Sequence, residues 1–274
     1  MTFCLGMKCE DGLLAIADTR ITSGNEMSMA KKISIHQVSQ HSMFILTSGL
    51  RSLRDKAITY FEERLESSEH DLQRMYQAAN AFAEEIRRVR TEDKPWLGEG
   101  GLSFDLHCIF GGQLAQDTEP HLFLIYPEGN WIEVRPGTPY VIIGESRYGK
   151  PILDRLWRYN RSLEDGLRVA LLAFDATRTS TSDVDCPLDA VMYRSDTWEL
   201  REQRFTAPDL ATVQRQWQRA ITMAAEGLKP ATKELYDRLA HAPVAVTHFD
   251  DLAEEVAALE AAQRQARGGT SQAR

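Results

Sequence analysis

Thr2, Asp18 and the pair Lys31-Lys32 are the residues of this chain whose types could together carry out covalent chemistry. A threonine at the start of a chain brings its own base, because its hydroxyl attacks while its α-amine takes the proton. A free α-amine has a pKa of about 7.7–8.0, close to working pH. A lysine beside it would favour the neutral amine by like-charge repulsion, and an aspartate would in turn hold that lysine. Threonine is small enough at the second position for the initiator Met1 to be removed, which would expose Thr2 as nucleophile and base in one residue. Lys31 and Lys32 are both candidates for the lysine.

The elements that must position these groups begin with a hairpin, with strands at 2–9 and 13–18 around Glu10-Asp11-Gly12. Asp-Gly is a strong turn signal, and a three-residue loop would use Gly12 at its left-handed position. That register pairs Cys9 with Leu13, Cys4 with Asp18 and Thr2 with Arg20, and lets Thr2, Asp18 and Arg20 share one surface. A slip of one residue would move Asp18 to the opposite face. A second strand pair follows at 32–38 and 43–49. Two helices come next, the first with Leu53, Ile58, Phe61 and Leu65, the second with Leu72, Met75, Ala79, Phe82, Ile86 and Val89 at helical spacing. A loop is expected at Pro95, Gly98, Gly100 and Gly101. Strands then run at 103–112, 121–126, 131–134 and 140–143, followed by helices at 149–159 and 163–178. A strand pair at 188–194 and 197–203 closes this part, and helices are expected at 208–228 and 248–266. Strands and helices come in runs, which predicts antiparallel sheets with segregated helices, an α+β fold, rather than a doubly wound parallel sheet. The domains expected are residues 2–205, a helical extension at 206–266 and a flexible tail at 267–274.

Composition excludes several classes. The chain has 274 residues, 43% of them hydrophobic, and so has material for a real core. Its net charge of −8 argues against nucleic acid as a partner. No apolar run approaches the ~20 residues of a membrane span, and no signal peptide precedes the first strand, so a cytoplasmic protein is expected. Four scattered cysteines without a C-x-x-C fit reduced thiols, and Cys4 reads as a small buried hydrophobe. The seven histidines show no H-E-x-x-H spacing, and no phosphate-cradling glycine motif occurs. Asp105 and His107 share a strand face as a structural pair or a metal pair, and Asp183, Asp185 and Asp189 form an acidic loop or a cation site. No metal and no cofactor are expected.

Thr2, the motif Asp18-Thr19-Arg20-Ile21-Thr22, Lys31-Lys32-Ile33 and Thr47-Ser48-Gly49 occur in an order and spacing that resembles the β-subunits of the proteasome and their bacterial relatives. The segment Gly144-Glu145-Ser146-Arg147-Tyr148-Gly149-Lys150-Pro151-Ile152-Leu153-Asp154 is most similar to the Anbu group, the ancestral β-subunits of bacteria. The resemblance covers residues 2 to about 205. It implies a four-layer αββα sandwich of the N-terminal-nucleophile type, with a helical C-terminal extension. It also implies Thr2 as nucleophile and base, Lys32 as the matching lysine, Asp18 as its orienter, and an oxyanion hole from the backbone N–H of Ser48 or Gly49. Arg20 and Thr22 are the implied substrate-binding residues. Ser146 and Asp183 are the nearest matches to a further serine and aspartate of the family. The family's Gly-Ser-Gly turn reads Gly144-Glu145-Ser146 here, and the stretch around Asp183 is shifted, which makes Asp185 a competitor.

Three readings follow. The first is a threonine hydrolase of peptide or other amide bonds, assembled as a homo-oligomeric ring or spiral, with a separate ATPase or adaptor if folded proteins are its substrates. The second is a proteasome-like scaffold or binding shell with little peptidase activity. The third is an amidase for a small-molecule or isopeptide substrate.

Overall fold

The computed structural model describes residues 2–23, 26–68, 72–243 and 258–259. Two five-stranded antiparallel sheets form its centre. One has the order β10-β1-β2-β11-β12, made from β1 (Phe3–Cys9), β2 (Gly12–Asp18), β10 (Tyr140–Gly144), β11 (Leu188–Arg194) and β12 (Leu200–Phe205). The other has the order β5-β6-β7-β8-β9, made from β5 (Ile33–Val38), β6 (His41–Gly49), β7 (Leu106–Gln113), β8 (His121–Ile125) and β9 (Trp131–Glu133).

Both strands of the first hairpin are buried along their whole length, and their alternate residues serve different layers. Phe3, Leu5 and Met7 pack with Phe174 of α4 (Leu163–Ser180) and Leu153 of α3 (Lys150–Leu156). Cys4, Leu13, Ala15 and Ala17 face Phe44, Leu46 and Ile109 of the second sheet. The far side of that sheet carries Ile45, Cys108 and Phe110 against α1 (Arg51–Ser68) and α2 (Met75–Glu99). The result is helices, sheet, sheet, helices: the four-layer αββα sandwich. Its helix-on-sheet core is aromatic, with Phe61, Phe82 and Phe110 in edge-on and stacked contacts. At the other face Ser162 caps α4 by accepting from the Asp165 N–H at 3.1 Å.

Several local expectations need correction. The β1–β2 register pairs Cys9 with Gly12 and Cys4 with Ala17, so the turn is Glu10-Asp11 and the register is one residue from that expected. Gly12 belongs to the strand, where it pairs with Cys9 of β1 and Arg194 of β11. A Cβ on Gly12, whose φ is +146°, would lie 2.0 Å from the Tyr193 carbonyl oxygen. The expected loop at Pro95 is helix instead, since α2 runs through it to Glu99 before Gly100 ends it. A proline at that place gives up one N–H and crowds the carbonyl of Thr91, one turn earlier. Residues 20–29 add a separate two-stranded ribbon, β3 (Arg20–Ser23) with β4 (Glu26–Met29).

The chain forms two compact units, residues up to Gln218 and those from Arg219 on. Helix α5 (Ala207–Gly227) begins in the first unit, where Leu210 is buried. The second unit contains α6 (Lys229–Ala240), which was not expected from sequence and which places Pro230 in its first turn, where a missing N–H is tolerated. The helix expected at 248–266 lies outside the described residues except at 258–259, which are helical, and the tail at 267–274 lies outside them entirely. Among the described residues no helix is long and apolar enough to cross a membrane. Phe82→Ala should lower stability by about 3–5 kcal/mol, read by urea denaturation, because it opens a cavity among fully buried rings.

Candidate functional site

Thr2 precedes β1 and is held from the β10 side, where the Glu145 N–H donates to its carbonyl at 2.7 Å. Gly144 makes this approach possible. Its φ is +84°, and a Cβ there would lie 2.0 Å from the Thr2 carbonyl oxygen. The next residue is held from the β2 side, where the Phe3 N–H donates to Asp18 Oδ1 at 2.8 Å.

Asp18 Oδ1 also accepts from Lys32 Nζ at 2.7 Å, and the same ammonium donates to the Arg20 carbonyl at 2.7 Å. Asp18 is fully buried and Lys32 nearly so. Burial pushes the Asp18 carboxyl above its ordinary range, while the Lys32 ammonium and the Phe3 N–H pull it back. The pair links the two sheets: Asp18 ends β2, and Lys32 leads into β5, its carbonyl accepting from Thr47 of β6 at 3.2 Å. The slipped register does not take Asp18 away, because it ends its strand and its carboxylate reaches across the strand end.

Two hydrogen bonds set the direction of the backbone groups at the end of β6. Thr47 donates toward β5, to Lys32, and Leu50 donates toward β7, to the Asp105 carbonyl at 3.1 Å. The alternation of an antiparallel ladder then directs the Ser48 N–H toward β7 and the Gly49 N–H to the opposite side, beyond the end of β5. Of the two expected oxyanion donors, this geometry favours Gly49.

Thr2, Lys32 and Gly49 line one cleft of about 650 Å³, together with Gly144, Arg20 and Ser48. Arg20 donates to the Ser182 carbonyl at 2.6 Å and lies 3.6 Å from Asp185. Thr22 is on β3, where its backbone pairs with Met27. Ser146 and Asp183 are not in the cleft lining. The Ser146 carbonyl accepts from the Lys150 N–H at 3.0 Å at the start of α3, and the Asp183 N–H meets Thr181 Oγ1 at 3.4 Å. Glu145 is buried and paired bidentately with Arg147, which holds its carboxyl below the usual range. Cys4 is fully buried, its thiol pushed up by desolvation. Asp105 bonds His107 Nδ1 at 3.0 Å, and Asp189 is paired with Arg204. Arg51, Arg54 and Asp105 also line the cleft, although sequence reasoning did not select them for it. The signal available was Arg51 directly after Gly49-Leu50, with Arg54 three residues further on.

A threonine before an inner strand of an αββα sandwich, beside a buried Asp–Lys pair, defines a proteasome-like architecture of the N-terminal-nucleophile type. The family model described as "Proteasome subunit" matches residues 2–185. An Anbu (Gly-1) mutant from Hyphomicrobium sp. strain MC1 is 32% identical, with 84% of this chain and 100% of that one covered at a TM-score of 0.78. Anbu from Yersinia bercovieri is 28% identical, with 83% and 98% covered and a TM-score of 0.75. Anbu from Pseudomonas aeruginosa, solved as a helical assembly, is 29% identical, with 90% and 100% covered and a TM-score of 0.75. No curated protein matches the chain. The chain belongs to the proteasome subunit family, within its Anbu group.

Asp18→Asn should cost about 3–5 kcal/mol in chemical denaturation, because it leaves the Lys32 ammonium buried without its counter-charge. The double variant Asp18→Asn/Lys32→Met should recover part of that loss, since it removes the unpaired charge.

Proposed function

We propose that this protein is a threonine-type hydrolase of peptide or other amide bonds, with Thr2 exposed by removal of Met1. The observation that carries the reading is the buried Asp18–Lys32 pair, whose Lys32 lines one cleft with Thr2. In this reading the Thr2 hydroxyl oxygen attacks the amide carbon and its proton passes to the Thr2 α-amine. The carbonyl oxygen takes up the charge and meets the Gly49 N–H. The protonated amine then gives its proton to the leaving nitrogen as the C–N bond breaks, leaving an ester on Thr2. Water attacks that ester with the amine again as base, and the acid departs with Thr2 restored. Lys32 favours the neutral amine by like-charge repulsion, and Asp18 holds Lys32 in place. Arg20 is assigned to substrate binding at the cleft wall, and Thr22, on the same strand, is its companion. Ser146 and Asp183 are assigned positioning roles, one through the start of α3 and the other in the loop whose Ser182 carbonyl holds Arg20.

A homo-oligomeric ring or spiral is part of the proposal. It is supported by the helical assembly of the Pseudomonas aeruginosa relative and by the exposed Leu235, Tyr236 and Leu239 on α6. Folded substrates would require a separate ATPase or adaptor, since the sequence has no phosphate-cradling loop. The four free cysteines support a reducing, cytoplasmic setting. One observation favours the second reading, a binding shell with little peptidase activity: Glu145 occupies the place of the family's serine and is committed to Arg147.

Intact mass before and after incubation with a peptide epoxyketone separates the two. The expected result is loss of the Met1 mass and one adduct per chain, absent in Thr2→Ala. A processed chain that takes no adduct would overturn the hydrolase in favour of the shell. Light scattering should give a mass of several chains for the assembly.

A further inference from the structure

The charge pattern of the cleft goes beyond what the proposed reaction needs. The chain carries a net charge of −8, yet Arg20, Lys31, Lys32, Arg51 and Arg54 line the cleft, with Asp105 as its carboxylate. Lys32 is engaged by Asp18, and Lys31 by Glu202 at 2.7 Å. Arg20 is held by the Ser182 carbonyl. Arg51 and Arg54 differ, because one carboxylate serves both: Asp55 lies 3.3 Å from Arg51 and 2.9 Å from Arg54. Arg51 is 65% exposed, whereas the Arg54 side chain is only 18% exposed.

Arg54 is under-satisfied. Its Nε is buried and has no hydrogen-bond partner among the described residues. Its Nη2 reaches Ser34 Oγ at 3.5 Å, the outer limit of a hydrogen bond. The side chain lines the cleft together with Gly49 and Asp105. The first turn of α1 contains no acidic residue, and its N-terminal N–H groups add positive potential there. A half-buried guanidinium with an unmade bond is costly, and a carboxylate is a planar partner that matches its fork.

We propose that the cleft selects amides whose acyl half carries a side-chain carboxylate, glutamyl or aspartyl, with Arg54 as the specificity-determining residue and Arg51 as support at the rim. Gly49 ends β6 and Arg54 lies in the first turn of α1, and both line the same cleft, so the guanidinium shares that cleft with the Gly49 backbone. The words "acyl half" rest on the hydrolase reading, whereas the preference for a carboxylate does not.

The test is equilibrium binding to Thr2→Ala protein, which lacks the nucleophilic hydroxyl. Fluorescent peptide amides identical except for a terminal Glu, Gln or Leu are titrated by anisotropy. The Glu peptide should bind about tenfold tighter than the Gln peptide, as one charge-assisted hydrogen bond would supply. That preference should fall to about twofold or less in Arg54→Met, persist in part in Arg54→Lys, and shrink as salt screens the pair. Equal affinity for Glu and Gln, or a preference that survives Arg54→Met, would overturn the proposal. So would a Gln peptide with a free C-terminal carboxylate that matches the Glu amide, because the site would then not read a side chain. Should Arg54→Met melt early, the exposed Arg51→Gln and the salt series decide, with a halved preference expected in the first. An inert Thr2 leaves this readout unchanged, so a failure of hydrolysis and a failure of carboxylate selection are seen separately.

Discussion

The ion pair between Asp18 and Lys32 is the constraint on which the site depends. Removing two charges from water is costly, and the pair is tolerated because Asp18 Oδ1 also accepts the Phe3 N–H and Lys32 Nζ also donates to the Arg20 carbonyl. Each of those extra bonds fixes a piece of backbone. The first sets where β1 begins and hence where Thr2 stands. The second sets the course of the chain as it leaves β2. Through the Lys32 carbonyl the same residue is tied to β6 and so to the strand that ends at Gly49. Breaking the pair would therefore disturb three walls of the cleft at once.

The sandwich supplies the rigidity that this arrangement needs. β1 lies inside its sheet, between β10 and β2, and its residues pack alternately against helices and against the opposing sheet. A strand enclosed in that way has little freedom to slide, since a one-residue shift would exchange its two buried faces. Thr2, at the head of the strand, inherits that fixity. The cleft wall formed by Arg20 and its ribbon is different, because β3 and β4 pair only with each other. One wall is thus set by the core and another by a short two-stranded element.

The α+β class, the antiparallel sheets, the main helices and the candidates Thr2, Asp18 and Lys32 were all legible in the sequence. Periodicity, turn signals and motif order are local properties, and they survive folding because each element buries the face that its pattern marks. The errors have a common cause. Gly12 reads as a turn glycine, but it pairs as a strand residue with Arg194 of β11, far along the chain, and the close approach of the Tyr193 carbonyl leaves no room for a Cβ. Pro95 read as a helix end, but the packed preceding turns of α2 carry the helix past it. In both cases a tertiary contact outweighed a local preference.

What the sequence determined by itself is therefore the set of elements and the identity of the groups able to do chemistry. Only the tertiary structure decided the register of the first hairpin, the direction of the backbone N–H groups at the end of β6, the set of residues that line one cleft with Thr2, and the under-satisfied guanidinium of Arg54. The physical reason is that hydrogen-bond direction, burial and the sharing of one counter-charge between two arginines depend on neighbours remote in sequence. They have no value until the two sheets have met.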